Sequence, residues 1–501
     1  MEPVFEAFRL VCDPLVIGAV LASALFGLFV GAVPGLTATM AVALLVPVTF
    51  MLPPLPAIAC MVTATAMAIF AGDIPGALLR MPGTPASAAY CEESYAMTRK
   101  GQAETVLGAS LVLSVIGGLF GTVVLATTAP ALAEVALKFS SFEYFWLVLL
   151  GLTCAVFIAP GKPLRAMVSL AIGLLVAGVG FENPAAYPRF TFGSEQLMSG
   201  LQLTPVMIGM FAVSEVIRYA ASRHVPVEPL QQGLGRIFRG QWTLLRKYPL
   251  TALRGSALGT VVGALPGAGA DIAAWIAYGL SKRFSRTPEK FGTGHPEGVM
   301  EAGAANNSSL SSAFIPALVF GVPGDSITAI VIGVLYLKGM NPGPTIFLEN
   351  PQNIYAVFMI FFAANLLMLP LGWLAIKLAK NVLRVPRNVL MPIILLFCVV
   401  GAFAINNSIF DIGVMLAFGL LAYLMEANRF PIAPTILGLV LGAMLEQNFV
   451  TSMIKADGNF GAFFERPIAG TLGVATILVW LSPLFVRWWR SRTAGAAQAE
   501  A

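Results

Sequence analysis

Val30-Gly31-Ala32-Val33-Pro34-Gly35 and Val262-Gly263-Ala264-Leu265-Pro266-Gly267 are one signature written twice, Pro266 following Pro34 by 232 residues (266 − 34 = 232). A second signature is duplicated as well. Ile74-Pro75, six residues and Pro82-Gly83 return as Ile315-Pro316, six residues and Pro323-Gly324, at an offset of 241 (323 − 82 = 241). Pro-Gly inside an apolar stretch breaks a helix, because proline removes a donor and clashes with the preceding turn while glycine accepts conformations closed to other residues. In lipid such a break is tolerated only where protein or water satisfies the freed backbone groups, so these breaks belong in the interior. Paired Gly/Pro interruptions in two halves of a membrane protein point to a transporter's substrate site.

The chain around the signatures has the composition of a membrane protein. Hydrophobic residues make up 57% and charged residues 11%, against about 25% charged in a soluble domain. The mean hydropathy is +0.83. The 501 residues therefore suggest about a dozen spans of ~20 residues each rather than several soluble domains. The net charge of +5 is gathered in a few short loops, as the positive-inside rule expects, and is no nucleic-acid signal. Cys12, Cys60, Cys91, Cys154 and Cys398 form no CxxC, and with two histidines no metal cluster is expected. The N-terminus lacks the basic region of a cleavable signal peptide, so the first span is expected to do its own targeting.

The basic loops give an orientation. The stretch from Arg218 to Arg254, the turns at Lys162/Arg165, Lys377–Arg387 and Arg429, and the C-terminal Arg487/Arg490/Arg492 all fall on one side when single spans are counted, and that side reads as cytoplasmic. The loops near 181–199, 345–353, 406–410 and 448–466 then face the periplasm. The same count puts Arg99-Lys100-Gly101 inside and Lys338-Gly339 outside, so the two copies are expected to be inverted repeats. The fold expected is an all-α polytopic membrane protein with re-entrant or broken helices. The first repeat covers 1–220 with its signature region at 27–102. A basic cytoplasmic linker covers 221–249. The second repeat covers 250–487 with its signature region at 259–344, and 488–501 form a disordered cytoplasmic tail.

Each signature reads as a half-helix starting after Pro-Gly with small or hydroxyl residues at its N-terminus. Helix N-termini present unsatisfied N–H groups and partial positive charge, which suit an anion, while displaced carbonyls suit Na⁺. Candidate anion-binding residues are Pro34, Gly35, Thr37, Thr39, Pro82, Gly83, Thr84, Pro323, Gly324 and Ser326. Candidate cation-binding residues are Gly31, Gly35, Gly263, Gly267, Asp271 and Asp325. The run from Gly292 to Ser312 carries Asn306, Asn307 and Ser308, either as a lining for a carboxylate and its ion or as a solvated loop with a helix cap. Arg80 is the one cation within a signature, a natural partner for a substrate carboxylate or for Asp73 seven residues earlier. Glu92 and Glu93 read more simply as a solvated loop, and His295 as a hydrogen-bonding loop residue. No P-loop lysine, GxSxG or HExxH occurs, so neither an enzyme nor a nucleotide-driven pump is expected.

At these residues the chain resembles the large membrane subunit of the tripartite tricarboxylate transporters, the TctA type. The matching stretches are Gly31–Met40, Leu44–Phe50, Met81–Pro85 and Arg99–Gln102, then Gly263–Gly269, Phe291–Gly294, Glu297–Val299, Ala304–Asn307 and Gly321–Gly324. The resemblance implies a permease of the bacterial inner membrane, working with a periplasmic solute-binding protein and a small membrane subunit. It implies import of organic di- or tricarboxylates driven by a Na⁺ or H⁺ gradient, with no cofactor. The chain departs from the family pattern at Ala71–Gly76, Tyr90–Tyr95 and Met300–Ala302, where a remodelled first-copy site would add Asp73 and Arg80 and leaves the carboxylate open. A stand-alone carrier or exporter of organic anions is the alternative, followed by a channel.

Overall fold

The computed structural model describes residues 2–159, 161–181, 187–221, 236–267, 269–383 and 387–481. The expected tail at 488–501, and residues 222–235 of the basic linker, lie outside them. The first half runs through α1 (Glu2–Val11), α2 (Pro14–Ala32), α3 (Ala38–Phe50), α4 (Pro54–Ala71), α5 (Asp73–Leu79), α6 (Cys91–Arg99), α7 (Ala103–Ala136), α8 (Ser141–Ile158), α9 (Pro163–Ala177), α10 (Leu203–Ile208) and α11 (Ser214–Ala221). The second runs through α12 (Gln241–Lys247), α13 (Pro249–Gly263), α14 (Gly269–Phe284), α15 (Pro296–Phe320), α16 (Ser326–Leu337), α17 (Ile346–Glu349), α18 (Pro351–Val382), α19 (Arg387–Asn406), α20 (Ile409–Ala427), α21 (Ala433–Lys455) and α22 (Ala462–Glu465). Nine described helical stretches are long and apolar enough to cross a bilayer, and four shorter apolar helices accompany them. The chain is an all-α, multi-pass membrane protein.

The duplicated sequence produces duplicated local geometry. Gly35 and Gly267 both adopt positive φ, 86° and 80°, at the turn that ends α2 and α13. α5 ends with Met81 N–H donating to the Pro75 carbonyl at 3.3 Å, and α15 ends with Val322 N–H donating to the Pro316 carbonyl at 3.2 Å. Next come two matching caps. Ser87 N–H donates to Thr84 Oγ1 at 3.0 Å and Thr84 N–H to Ser87 Oγ at 3.1 Å. At the corresponding place Thr328 N–H donates to Asp325 Oδ1 and Asp325 N–H to Thr328 Oγ1, both at 2.8 Å. α6 and α16 then end in the same way, with Gln102 N–H on the Met97 carbonyl and Met340 N–H on the Leu335 carbonyl.

One position differs between the copies. The left-handed residue that closes α15 is Gly321 (φ 68°), whereas the one that closes α5 is Arg80 (φ 58°). A Cβ in that region is strained, and glycine is the residue that relieves it. Arg80→Gly is therefore expected to melt higher than Arg80→Ala, by up to about 2 °C for a chain of this size. Both variants lose the arginine side chain, so equal midpoints in a detergent thermal-shift assay would show that the backbone is not strained there.

Packing repeats too, with exchanged partners. α2 crosses α4 at Gly27 and Gly31, where a Cβ on Gly31 would sit 2.4 Å from the Ala68 carbonyl oxygen. α13 crosses α15 at Gly255, Gly259 and Gly263, where a Cβ on Gly263 would sit 2.4 Å from the Ser309 carbonyl oxygen. These are small-residue crossings, the usual way for helices to approach closely in lipid. Between the halves, α4 packs on α18 and α15 on α7; α2 on α18 and α13 on α7; α3 on α16 and α14 on the 3₁₀ turn Ser87–Ala89. α9 packs on α21, and α20 on α10 and α11. Lys100 Nζ reaches the Thr293 carbonyl at 2.6 Å, and Lys338 Nζ reaches the Phe50 carbonyl at 2.8 Å. Each of these contacts of one copy with the other has its counterpart with the roles reversed.

The loop contacts also sort into the two groups that the charge count separates. Arg165 stacks over Phe430 at 5.7 Å, Arg218 bonds Glu426 at 3.0 Å and Arg236 N–H bonds Glu104 at 2.9 Å, all among the loops read as cytoplasmic. Arg189 pairs with Glu446 at 2.7 Å, Arg466 with Glu143 at 2.6 Å and Lys455 with Ser141 at 3.3 Å, all at the other ends.

Candidate functional site: the cleft between the two signatures

The helix breaks of both halves converge on one cleft of about 400 Å³. The first half supplies Thr37, Thr39 and Thr84, and the second supplies Gly267, Asp271, Asn306, Asp325 and Ser326. α3 begins here with Thr37 as its N-cap, accepting from Met40 N–H at 3.2 Å, and α16 begins here with Asp325 as its N-cap. α14 begins at Gly269, whose backbone approaches so closely that a Cβ would sit 2.6 Å from Asp325 Cβ. Three helix N-termini, of 13, 16 and 12 residues, thus point their free N–H groups into one space.

Asp271 and Asp325 both line this space, beside the hydroxyls of Thr37, Thr39, Thr84 and Ser326. Such oxygen-rich surroundings suit a hard monovalent cation or a proton, while the helix N-termini and amide donors suit a carboxylate. Further out the cleft is lined by Ser214, Glu215, Arg218 and Glu426. Arg218 bridges Glu215 and Glu426 at that mouth. Apart from the charge of Arg218, which marks a cytoplasmic loop, these four residues sit in ordinary helix sequence with no motif to mark them as part of a site.

Behind the cleft is a buried polar chain. Asn306 Nδ2 donates to Tyr90 Oη at 3.4 Å, Tyr90 Oη donates to Asp73 Oδ1 at 2.6 Å, and Ser110 Oγ donates to Asp73 Oδ2. Asn306 Oδ1 has no hydrogen-bond partner among the described residues although the residue is fully buried. An orphaned buried amide oxygen costs about 1–3 kcal/mol, which is tolerable at a site built to meet a ligand or its water.

Several expectations require correction. The polar run at 292–312 is no solvated loop beyond its start: from Pro296 it belongs to one continuous helix, α15, whose residues Glu297 to Val319 are all buried. Arg80 does not line the cleft and does not pair with Asp73. It lies on the surface, bonded to Glu92 at 2.9 Å, and that carboxylate holds its guanidinium above its ordinary range. Glu92 is exposed as expected, but Glu93 is fully buried. Glu93 takes the backbone N–H groups of Gly292, Gly294 (2.6 Å) and His295 (2.7 Å) together with the Tyr278 hydroxyl (3.0 Å). It fastens the first half to the glycine loop that starts α15. After Pro82-Gly83 the chain forms a three-residue 3₁₀ turn before α6, so the half-helix expected there starts not at the Pro-Gly but at Cys91.

Other candidates stand behind the lining. Gly31 and Gly263 serve the helix crossings. Gly83 packs on Gly72 and on the Gly31 carbonyl, and Gly324 packs on Ala313. Ser308 Oγ donates to the Ala305 carbonyl at 3.2 Å within α15. Asn307 is buried, with neither side-chain atom paired among the described residues. Pro34, Gly35, Pro82 and Pro323 shape the breaks without lining the cleft. His295 bonds as a loop residue does, its ring Nε2 lying 3.4 Å from Glu297 and 3.3 Å from Thr287 Oγ1.

Comparison with known proteins agrees with this architecture. Residues 17–437 match the model of the tripartite tricarboxylate transporter TctA family. A protein of Agrobacterium vitis, described as an uncharacterized 52.8 kDa protein in the TAR-I ttuC′ 3′ region, is 33% identical over 465 residues, covering 92% of this chain and 92% of that protein. A second from the same organism, described as an uncharacterized protein in the TAR-II ttuC′ 3′ region, is 33% identical over 228 residues, covering 45% of this chain and 94% of that protein. No solved structure matches the chain.

Proposed function

The chain belongs to the tripartite tricarboxylate transporter TctA family, and we propose that it is the large permease subunit of a binding-protein-dependent secondary transporter. It imports organic di- or tricarboxylates across the bacterial inner membrane, driven by a Na⁺ or H⁺ gradient. Its partners are a periplasmic solute-binding protein and a small membrane subunit, and it acts as a carrier rather than as an enzyme. The observation that carries this reading is the convergence of both signatures on one cleft, to which they bring three helix N-termini, the hydroxyls of Thr37, Thr39, Thr84 and Ser326, the Asn306 amide, and the carboxyls of Asp271 and Asp325. Asn306, the hydroxyls and the helix N-termini hold the anion. Asp271 and Asp325, with the backbone at Gly267, serve the cation. A pseudo-twofold axis lies in the membrane plane, so that the halves are inverted repeats able to exchange inward- and outward-open shapes. With the basic loops inside, the mouth at Arg218 and Glu426 opens to the cytoplasm.

The test is uptake of a labelled carboxylate panel into cells carrying this chain and the small subunit. It is run with and without the binding protein, and with the Na⁺ and H⁺ gradients collapsed separately. Uptake that requires the binding protein and one gradient is the expected result. Uptake indifferent to the binding protein would make the chain a stand-alone carrier, and flux indifferent to both gradients would make it a channel.

A further inference from the structure

Asp73 is nearly sealed from solvent, 3% exposed. The titratable groups that face it are Tyr90 and Cys91. Cys91 is turned to the Gly76 carbonyl at 3.5 Å, and α7 contributes the Ser110 hydroxyl. Arg80 and Glu92 are committed to one another, and Glu93 to the glycine loop. None of the ion pairs among the described residues includes Asp73. An intramembrane carboxyl without a counter-ion marks a functional position. This one is connected through a single tyrosine to the amide that lines the cleft.

We propose that Asp73 binds a coupling proton, apart from the cation position at Asp271 and Asp325, and that Tyr90 relays its protonation state to Asn306, which turns its amide to accept the anion. This deepens the transport reading above and rests on it. With Asp73 ionised, Tyr90 commits its O–H to Asp73 Oδ1, so its lone pair takes the Asn306 Nδ2–H, and Asn306 Oδ1 is left over. That is the arrangement in the structure. An amide oxygen repels a carboxylate. When a proton arrives on Asp73 Oδ1, that oxygen becomes the donor to Tyr90 Oη, while Ser110 continues to donate to Oδ2. The Tyr90 O–H is then released to donate to Asn306 Oδ1 after a half-turn of the amide, and the two Nδ2–H donors face the cleft. One proton is gained, the Asp73–Tyr90 and Tyr90–Asn306 bonds are kept with their directions reversed, the Ser110 bond is unchanged, and the lining changes from acceptor to donor. Proton binding and anion binding then favour each other reciprocally.

The test has two arms on the full-length protein in proteoliposomes. In the first, without any anion, pH-difference infrared spectra are recorded. A protonated-carboxyl band absent from Asp73→Asn is expected, together with a pH-dependent side-chain amide signal that Asn306→Ala removes and Tyr90→Phe freezes. Absence of the Asp73 band, or an amide signal that follows pH without Tyr90, would overturn the inference. In the second arm, with the small subunit and binding protein present, labelled citrate is the probe. Accumulation driven by a pH gradient should fall about tenfold in Asp73→Asn, a coupling of ordinary size, while citrate counterflow persists. Undiminished pH-driven accumulation in that variant would refute the proton role. If the wild type moves no citrate while the infrared titration is present, the transport reading fails for that anion and the relay stands.

Discussion

Replacing Glu93 by alanine is expected to destabilise the protein by about 3–5 kcal/mol, since each buried or half-buried donor left without a partner costs roughly 1–3 kcal/mol and the losses at Gly294, His295 and Tyr278 overlap. The carboxylate accepts from three backbone N–H groups and from Tyr278 while fully buried. Bonds to an ionised acceptor are about twice as strong as neutral ones. Glu93→Gln is expected to fall between alanine and the wild type, because its amide keeps one acceptor oxygen and places an NH₂ against donors. The glycine loop 292–295 is the start of α15, so the loss is also expected at Asn306, as weaker anion binding. Thermal unfolding of purified protein decides it. An alanine variant that melts with the wild type would show that the loop holds itself and that Glu93 is incidental.

Asn306→Leu is expected to separate stability from transport. Uptake should fall about 10- to 100-fold, the equivalent of one hydrogen bond to a charged group at ~1.5–3 kcal/mol. The melting temperature should hold or rise, because leucine removes an amide oxygen that is buried and unpaired in the free protein and is close to asparagine in size. A structural role would move both quantities down together. Loss of stability along with uptake, or uptake that survives, would remove Asn306 from the anion site.

Much of this molecule is written in local sequence. The apolar composition, the nine membrane-length helices among the described residues and the helix breaks follow from residue types whose effects act within a few positions. Pro34-Gly35 and Pro266-Gly267 end helices wherever the chain places them. The duplicated caps at Thr84/Ser87 and Asp325/Thr328 are local as well, and so is the clustering of basic loops. Thr37, Thr39, Thr84, Asn306, Asp325 and Ser326 follow from that punctuation, and all six line the cleft.

What local sequence left undecided was which partner each polar side chain meets. Arg80 and Asp73 are seven residues apart and so share a helix face if the helix runs on. The chain turns left-handed at Arg80, which sends the guanidinium out to Glu92 and leaves Asp73 inside with Tyr90. Glu92 and Glu93 are neighbours in sequence, but consecutive positions on an α-helix point about 100° apart. One reaches solvent and the other a loop about two hundred residues away. At the mouth, Arg218 pairs with Glu215 one turn away on α11, but it meets Glu426 only because α11 lies beside α20. The backbone breaks are fixed by steric and hydrogen-bonding rules that act over one helical turn. The pairing of buried charges is fixed by which distant helix fills the space opposite, and that is a property of the packed structure alone.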